Sequence, residues 1–212
     1  MFCKIRRILK SFIAKPPFGA WEKWLAVQGV EIRGRVSVYG KPIISRWGRG
    51  TIVIEDGVTL DSDSRHNYAG IIHPCTFAVG GNLYIGKDSG LSGALIYCKQ
   101  SVIIGAHVGI GANVTIFDTD FHPLNPYERV MQSSSIYAES QPVIIDDYAW
   151  IGANVMILKG VHIGRGSVIG AGSVVTSDVP ELSIYAGNPA KFIRKIELTD
   201  TQYKKLFEAT NE

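Results

Sequence analysis

A six-residue spacing of aliphatic residues limits how this chain can fold more than any other feature does. It runs without a break through Ile145, Ile151, Ile157, Ile163, Ile169 and Val175. An α-helix would scatter these positions around its circumference, and a strand alternates its two faces every second residue, so the backbone must turn a corner at each repeat. Period six is typical of a parallel β-helix, in which three hexapeptides close one coil and each aliphatic side chain points to the axis.

The spacing continues upstream with one change of register. Aliphatic residues head further repeats at Ile54, Leu60, Ile85, Leu91, Ile104, Ile110 and Ile116. Because Ile85 and Leu91 are offset by one residue from this series, we predict a bulge or a one-residue corner insertion near Ile103. At least five partial or complete coils are expected, each closing its backbone hydrogen bonds on the coils above and below.

The composition fits one folded domain. The chain has 212 residues, 46% of them hydrophobic, and its 23 glycines suit tight corners. No apolar run approaches the roughly 18 residues of a membrane span, and the N-terminus lacks a signal-peptide pattern, so we expect a cytoplasmic protein. Cys3, Cys75 and Cys98 show no metal-type spacing and are expected to be reduced.

Positive charge is concentrated near the N-terminus. Residues 1–49 hold eleven Lys and Arg against two Glu, whereas the remainder of the chain is net acidic. Residues 1–18 place apolar side chains at helical spacing before Pro16 and Pro17, which predicts an amphipathic helix. This helix would either pack on the open end of the solenoid or bind peripherally to the inner face of an anionic membrane. No aromatic and basic motif accompanies the charge, so a nucleic-acid partner is not expected.

The repeat is interrupted between Ile116 and Ile145 by a polar, proline-bearing segment that is too long for a corner. Residues 118–142 must therefore form a loop that leaves the prism, and long loops on a rigid scaffold are often functional. The loop carries His122, and histidine is the side chain most often used as a general base, so His122 is the best candidate for that role. Asp120 is close enough in sequence to fix the tautomer of that imidazole.

These features divide the chain into three parts. We assign residues 1–49 to a basic arm with leading strands and residues 50–196 to the β-helix with its extruded loop. Residues 197–212 are expected to form a short C-terminal helix, for which Thr199 or Asp200 is the cap. The fold class is therefore mainly β, with short helices at both ends.

Three segments of the chain are informative together: FDTDFHPLNPYER, DDYAWIGANVMILKGVHIGRGSVIGAGSVVTSDVP and YAGNPAKFIRKI. They resemble the left-handed β-helix, or hexapeptide-repeat, acyltransferases, in particular the maltose, galactoside and capsule-polysaccharide O-acetyltransferases. The resemblance covers about residues 50–196. It implies a left-handed parallel β-helix, although parallel crossovers are usually right-handed. It also implies a homotrimer, acetyl-CoA as cosubstrate, and chemistry that needs no metal.

The same resemblance implies roles for individual residues. His122 would be the general base, and the backbone N–H of Ala153 would stabilise the oxyanion. The residues implied for acetyl-CoA binding are Trp150, Ala153, Ala171, Thr176, Ser177, Lys191 and Arg194. Ser177 departs from the family pattern, which often has lysine at this position, and Lys195 is a candidate to compensate.

The acceptor side departs further from the family. The sugar-binding asparagine of the galactoside enzymes has no counterpart here, so a galactoside acceptor is not supported. We expect a different acceptor pocket, formed by Ser92, Arg65, His66, Asn67 and His73. An outward loop without a binding role is the alternative for most of these residues.

The sequence thus predicts an acetyl-CoA-dependent O-acetyltransferase that modifies a sugar hydroxyl in surface-polysaccharide biosynthesis. A sugar amine N-acetyltransferase could use the same base, and a serine acetyltransferase shares the segment AGNPA. A non-catalytic solenoid that serves as a binding scaffold is the alternative from another class. A hexapeptide carbonic anhydrase is disfavoured because His107, His122 and His162 lack the spacing of zinc ligands.

Overall fold

The described part of the chain forms a three-sided prism of short strands. The structure is a computed structural model and describes residues 20–65, 67–131 and 137–208. The first sheet consists of β1 (Val30–Arg33), β4 (Thr51–Glu55), β7 (Asn82–Ile85), β10 (Ser101–Ile104), β13 (Val143–Ile145) and β16 (His162–Ile163). The second consists of β2 (Ser37–Tyr39), β5 (Thr59–Asp61), β8 (Gly90–Ser92), β11 (Gly109–Ile110), β14 (Trp150–Ile151), β17 (Val168–Ile169), β19 (Ser183–Gly187) and β20 (Ala190–Lys195). The third consists of β3 (Ile43–Arg46), β6 (Thr76–Val79), β9 (Leu95–Cys98), β12 (Thr115–Phe117), β15 (Met156–Ile157) and β18 (Val174–Val175).

The chain visits the three sheets in a fixed order, from first to second to third and back to first, once per coil. Neighbouring coils pair in parallel, and the pairing of β19 with β20 at the end of the second sheet is antiparallel. In the first sheet Ile104 pairs with Ile85 on one side and with Ile145 on the other. The predicted parallel β-helix is confirmed.

The six-residue ladder forms the core. Each of its members is at most 1% exposed: Ile145, Ile151, Ile157, Ile163, Ile169 and Val175. Since each strand alternates its faces, the neighbour before each of these residues points outward, as Trp150 and Met156 do. The ladder therefore determines which residues are available to bind a ligand.

The change of register has two sources. Eight residues separate Ile96 from Ile104 because the corner at residues 99–100 is long, whereas only five separate Leu91 from Ile96. The net result is the one-residue shift that was predicted near Ile103. The structure locates it in these two corners.

Short helices lie at both ends of the prism. Helix α1 (Ala20–Val27) covers the first coil with Leu25, which is fully buried. At the other end, α3 (Asp200–Tyr203) begins with a capping box at Thr199 and continues into one π-helical turn (Lys204–Glu208). The amphipathic helix predicted over residues 1–18 and the last residues, 209–212, lie outside the described residues. Among the described residues, no helix is both long enough and apolar enough to cross a membrane.

Two adjacent isoleucines of β10 provide a test of the core. Ile104 is fully buried, whereas Ile103 points outward and is 39% exposed. Ile104→Ala should lower the free energy of unfolding by about 2–5 kcal/mol, because it leaves a cavity between stacked coils. Ile103→Ala should cost less than about 1 kcal/mol. Chemical denaturation of both variants measures the difference, and equal losses would contradict this arrangement of the core.

Candidate functional site

The loop that interrupts the repeat leaves the prism at the corner between the third and first sheets. Its first residue, Asp118, is fully buried, and its carboxylate accepts backbone hydrogen bonds of 2.7, 2.6 and 2.8 Å from Lys99, Gln100 and Ser101. Lys99 and Gln100 form the long corner of the preceding coil, and Ser101 is the first residue of β10. Because a buried carboxylate with three such bonds holds the backbone on either side, Asp118 anchors the start of the loop.

The two arms of the loop pair with each other just outside this anchor. Thr119 forms an antiparallel bridge with Ser140, and their hydroxyl groups are 3.0 Å apart. The Asp120 N–H donates to the Glu139 carbonyl at 3.0 Å, and the Gln141 N–H donates to the Asp118 carbonyl at 2.9 Å. The stem is therefore an ordered hairpin. Its tip includes helix α2 (Pro126–Met131), and residues 132–136 of the tip lie outside the described residues.

Lys159 joins both arms of the stem to the next coil. Its ammonium lies 3.5 Å from Asp120 Oδ2 and 3.2 Å from Glu139 Oε2. Burial by itself lowers the pKa of Lys159, but the hydrogen bond to Glu139 and the charges of both carboxylates outweigh it, so this pKa is raised. The pKa of Glu139 is lowered, chiefly because its carboxylate accepts the Lys159 hydrogen bond. The cluster of Asp120, Glu139 and Lys159 forms a clamp across the base of the loop.

His122 extends from this stem next to a strained residue. Phe121 has a φ of +63°, a left-handed conformation that is uncommon for a bulky residue and that other contacts must hold in place. Its ring packs against Tyr97 and Phe117, with centroid distances of 4.6 and 5.0 Å. His122 itself is exposed, and no described residue is hydrogen-bonded to its imidazole. The arrangement presents an imidazole to solvent on a firmly held backbone.

Asp120 is held differently from what a tautomer-fixing role would need. Its backbone carbonyl accepts the His122 N–H at 2.7 Å, while its Oδ2 faces Lys159. Oδ2 is buried and has no hydrogen-bond partner among the described residues, so the ion pair is its main contact. Asp120 therefore holds the His122 backbone, and its carboxylate makes no hydrogen bond to the imidazole.

A second cluster lies on the outer face of the second sheet. A shallow groove of about 310 Å³ runs there from β2 to β14, and its lining includes Ser92 and the indole of Trp150, which is 60% exposed. Trp150 belongs to a transverse row that continues through Val168 and Ile184 to Arg194. Lys191, on the same terminal strand β20, is also exposed. The groove therefore has an aromatic residue at its end and, three strands farther, a basic edge.

Ala153 lies at the corner between the second and third sheets, adjacent to this groove. Its N–H donates to no described residue, whereas the Ala106 N–H at another corner is held by Asp147 Oδ1 at 2.7 Å. In the next coil the stacked residue is Ala171, which has no side-chain acceptor, and the Ala153 carbonyl accepts the Gly172 N–H at 2.8 Å. A free N–H at this position can stabilise a developing oxyanion.

The loop between β5 and β6, which carries most of the predicted acceptor residues, is attached to the same corner. Asn113 accepts the Ile72 N–H at 2.9 Å and donates to the Gly70 carbonyl at 3.1 Å, and it also bonds to Asn154, next to Ala153. Asn67 within the loop donates to Asp61 at 3.2 Å. The loop thus borders both the groove and the Ala153 corner.

Other residues of the predicted acceptor pocket are distributed around this loop. His73 is partly buried, with Nδ1 3.1 Å from the Pro74 carbonyl. Arg65 is exposed and pairs with Asp63 at 2.7 Å, and the hydrogen bond and charge of Asp63 raise its pKa. His66 lies outside the described residues.

One chain does not bring all of these residues together. One group lies on the outer face of the second sheet, called the second face below, or at its corner with the third sheet: Trp150, Ser92, Ala153, Ala171, Lys191 and Arg194. His122 and Asp120 instead lie at the corner between the third and first sheets, and Thr176 and Ser177 follow β18 at the same corner. In a three-sided prism that corner is opposite the second face.

Three contributors were not identified from the sequence. Lys159 and Glu139 form the clamp, and Asp61 lines the groove. A signal for Lys159 is its position at the corner two residues after the ladder residue Ile157, where a solvated lysine is the ordinary interpretation. Among the described residues, no group of three or more His, Cys, Asp or Glu side chains is arranged to hold a metal ion.

Comparison with known proteins supports the sequence resemblance. The bacterial transferase hexapeptide (six repeats) family matches residues 142–177. The galactoside O-acetyltransferase of Escherichia coli is 39% identical over 131 residues, which are 61% of this chain and 62% of that protein. The enzyme of the same name from Lactococcus lactis is 43% identical over 99 residues, 47% of this chain and 45% of that protein. The match thus spans less than two thirds of the length of these relatives.

Solved structures show the same architecture. A hexapeptide-repeat acetyltransferase from Vibrio cholerae, complexed with acetyl coenzyme A, has a TM-score of 0.53 and 31% identity over 57% of this chain and 64% of that one. A maltose O-acetyltransferase from Clostridium difficile has a TM-score of 0.52 and 27% identity over 93% of this chain and 86% of that one. The resemblance to the hexapeptide-repeat acyltransferases is confirmed, and the fold is a left-handed parallel β-helix.

Removing the ammonium of the clamp should loosen the stem. In Lys159→Met, the carboxylates of Asp120 and Glu139 lose their common partner, so amide hydrogen exchange in residues 119–121 and 138–141 should become roughly five- to tenfold faster. Lys87→Met removes an exposed lysine at another corner and should leave these amides unchanged. Exchange rates in the stem that match the wild type in both variants would show that the clamp does not hold the loop.

Proposed function

We propose that this protein is an acetyl-CoA-dependent O-acetyltransferase that acetylates a sugar hydroxyl in surface-polysaccharide biosynthesis. The observation that carries this proposal is the anchored loop, because it exposes His122 on a backbone held by Asp118, Phe121 and the clamp. An exposed, well-placed imidazole suits the removal of a proton from a hydroxyl near neutral pH. The acetyltransferase relatives, and the acetyl coenzyme A bound to the Vibrio cholerae protein, support the choice of donor.

The chemistry requires one base and one oxyanion donor. His122 takes the proton of the acceptor hydroxyl as the oxygen attacks the thioester carbonyl, forming the C–O bond. The Ala153 N–H stabilises the resulting oxyanion, and collapse of the intermediate breaks the C–S bond. The CoA thiolate leaves, and the proton on His122 passes to that thiolate or to water. No covalent enzyme intermediate is needed.

The second face accounts for the orientation of acetyl-CoA. Lys191 and Arg194 are exposed on β20, where their charges favour the phosphates of the coenzyme. From Arg194 the transverse row leads to Trp150 over three strand spacings, or about 14 Å. The pantetheine arm would lie along this row, with Ala171 beside it and the thioester near Ala153.

The positions of His122 and the Trp150 groove on opposite sides of the prism imply that a complete site uses two copies of the chain. We propose a homotrimer in which His122 of one protomer faces the Trp150 groove and Ala153 of the next. Such head-to-tail contacts close into a ring with three equivalent sites. The exposed apolar residues of the His122 loop suit this contact: Leu124, Tyr127, Val130 and Met131.

The acceptor is proposed to be a sugar unit of a growing glycan at the cytoplasmic side of the membrane. The basic, amphipathic segment over residues 1–18 supports peripheral contact with anionic lipid. Free, nucleotide-linked and lipid-linked sugars are therefore the acceptor classes to compare, and thiol release from acetyl-CoA is the measurement.

Loss of the imidazole tests the base. His122→Ala should lower kcat by about a hundredfold or more while acetyl-CoA binding stays near the wild-type value, because the base acts on the acceptor. The control is His107→Ala, since His107 stacks on Tyr148 and does not line the groove. Wild-type turnover in His122→Ala would refute the assignment.

Mixed trimers test whether one site uses two chains. His122→Ala and Trp150→Ala should each be nearly inactive alone, but co-expression should restore about a quarter of wild-type activity. The reason is that one interface in four joins an intact His122 to an intact Trp150. If one chain supplied both residues, the mixed trimers would be as inactive as the separate variants.

A further inference from the structure

The groove on the second face has a floor made mostly of backbone. Gly90 and Gly109 occupy successive outward positions between Thr59 and Trp150 in one transverse row. A Cβ on Gly90 would meet only open space, and a Cβ on Gly109 would stand 3.3 Å from the Trp150 ring. The two glycines therefore leave open space in the groove beside the indole, and a side chain at either position would fill it.

The side chains that line the groove are of the types that bind sugars. The exposed Trp150 ring offers a flat apolar surface, on which the C–H face of a pyranose can stack. On the neighbouring row, Tyr39, Asp61 and Ser92 stand side by side on adjacent strands. Their hydroxyl and carboxylate groups are suited to bind sugar hydroxyls. The groove volume of about 310 Å³ accommodates a small ligand.

Asp61 is the one charged side chain among the ten described residues that line the groove. Its Oδ1 accepts the Asp63 N–H and its Oδ2 accepts Asn67 Nδ2, both at 3.2 Å. A carboxylate can accept roughly four hydrogen bonds, so Asp61 keeps acceptor capacity for a ligand. The hydrogen bonds from Asp63 and Asn67 also hold the carboxylate in place at the edge of the groove.

We infer that the groove binds an uncharged pyranose unit of the acceptor and that Asp61 selects against anionic sugars. The carboxylate accepts hydrogen bonds from sugar hydroxyls, and it repels a uronic acid or a phosphorylated sugar in the same position. The charge along the second face is therefore ordered: acidic at Asp61, where the acceptor lies, and basic at Arg194, where the coenzyme phosphates lie. This inference rests on the proposed function and specifies its substrate class.

A matched pair of acceptors tests the inference. Methyl glucoside and methyl glucuronide differ only at C6, as do methyl galactoside and methyl galacturonide. Wild-type protein should prefer the neutral member of the better pair by at least about tenfold in kcat/KM. Asp61→Asn should lower kcat/KM for the neutral sugar about tenfold, mainly through KM, and raise it for the acidic sugar, because the repulsion is removed.

The control is Asp88→Asn. It removes one negative charge near the groove, as Asp61→Asn does, but Asp88 does not line the groove. Asp88 is 41% exposed, and its φ of +57° is one that asparagine adopts readily. This variant should keep the wild-type preference. A wild-type preference for the acidic sugar, or an unchanged ratio in Asp61→Asn, would overturn the inference.

Binding measurements separate this inference from the proposed reaction. Saturation-transfer NMR with the same four glycosides reports on the groove without any acetyl transfer. Transfer to none of these sugars or of the glycan-linked acceptors would refute the proposed function. Selective binding of the neutral sugars that is lost in Asp61→Asn would still support the groove, and equal binding of neutral and acidic sugars would refute it.

Discussion

The structure depends on the stacking of one aliphatic residue per hexapeptide along the axis of the prism. Parallel backbone pairing keeps each position of a coil directly above its counterpart, as Ile85, Ile104 and Ile145 show. A single register therefore decides which residues are buried, which point outward and which lie at a corner. Catalytic and ligand-binding groups can therefore come only from outward positions, from free N–H groups at corners and from loops that leave a corner.

The candidate site uses all three routes. Trp150 and Ser92 are outward positions, Ala153 supplies a corner N–H, and His122 is carried by a loop. The loop is long, yet its stem is held by a buried carboxylate, by paired arms and by Lys159. Rigidity of this kind matters because a general base must remain within hydrogen-bond reach of the proton that it removes.

Much of the fold and part of the candidate site could be predicted from the sequence, because the spacing of a repeat indicates which residues are buried and which point outward. The position of His122 outside the ladder was visible as a break in the spacing, and Trp150 was visible as the residue before a buried isoleucine. Asp120 shows the limit of such reasoning. Proximity in sequence to His122 suggested a tautomer-fixing contact, but its carboxylate faces Lys159, a residue of the next coil.

The sequence by itself determined the solenoid, the buried ladder and the loop that carries His122, because these depend on local spacing and on turning a corner every six residues. Only the tertiary structure decided which side of the prism each residue occupies. It placed His122 at the corner opposite the Trp150 face and aligned Asp61, Ser92 and the two glycines into one groove. The physical reason is that such neighbours lie one coil apart in space but about 20 or more residues apart in the chain, at intervals that corner lengths and the loop make unequal.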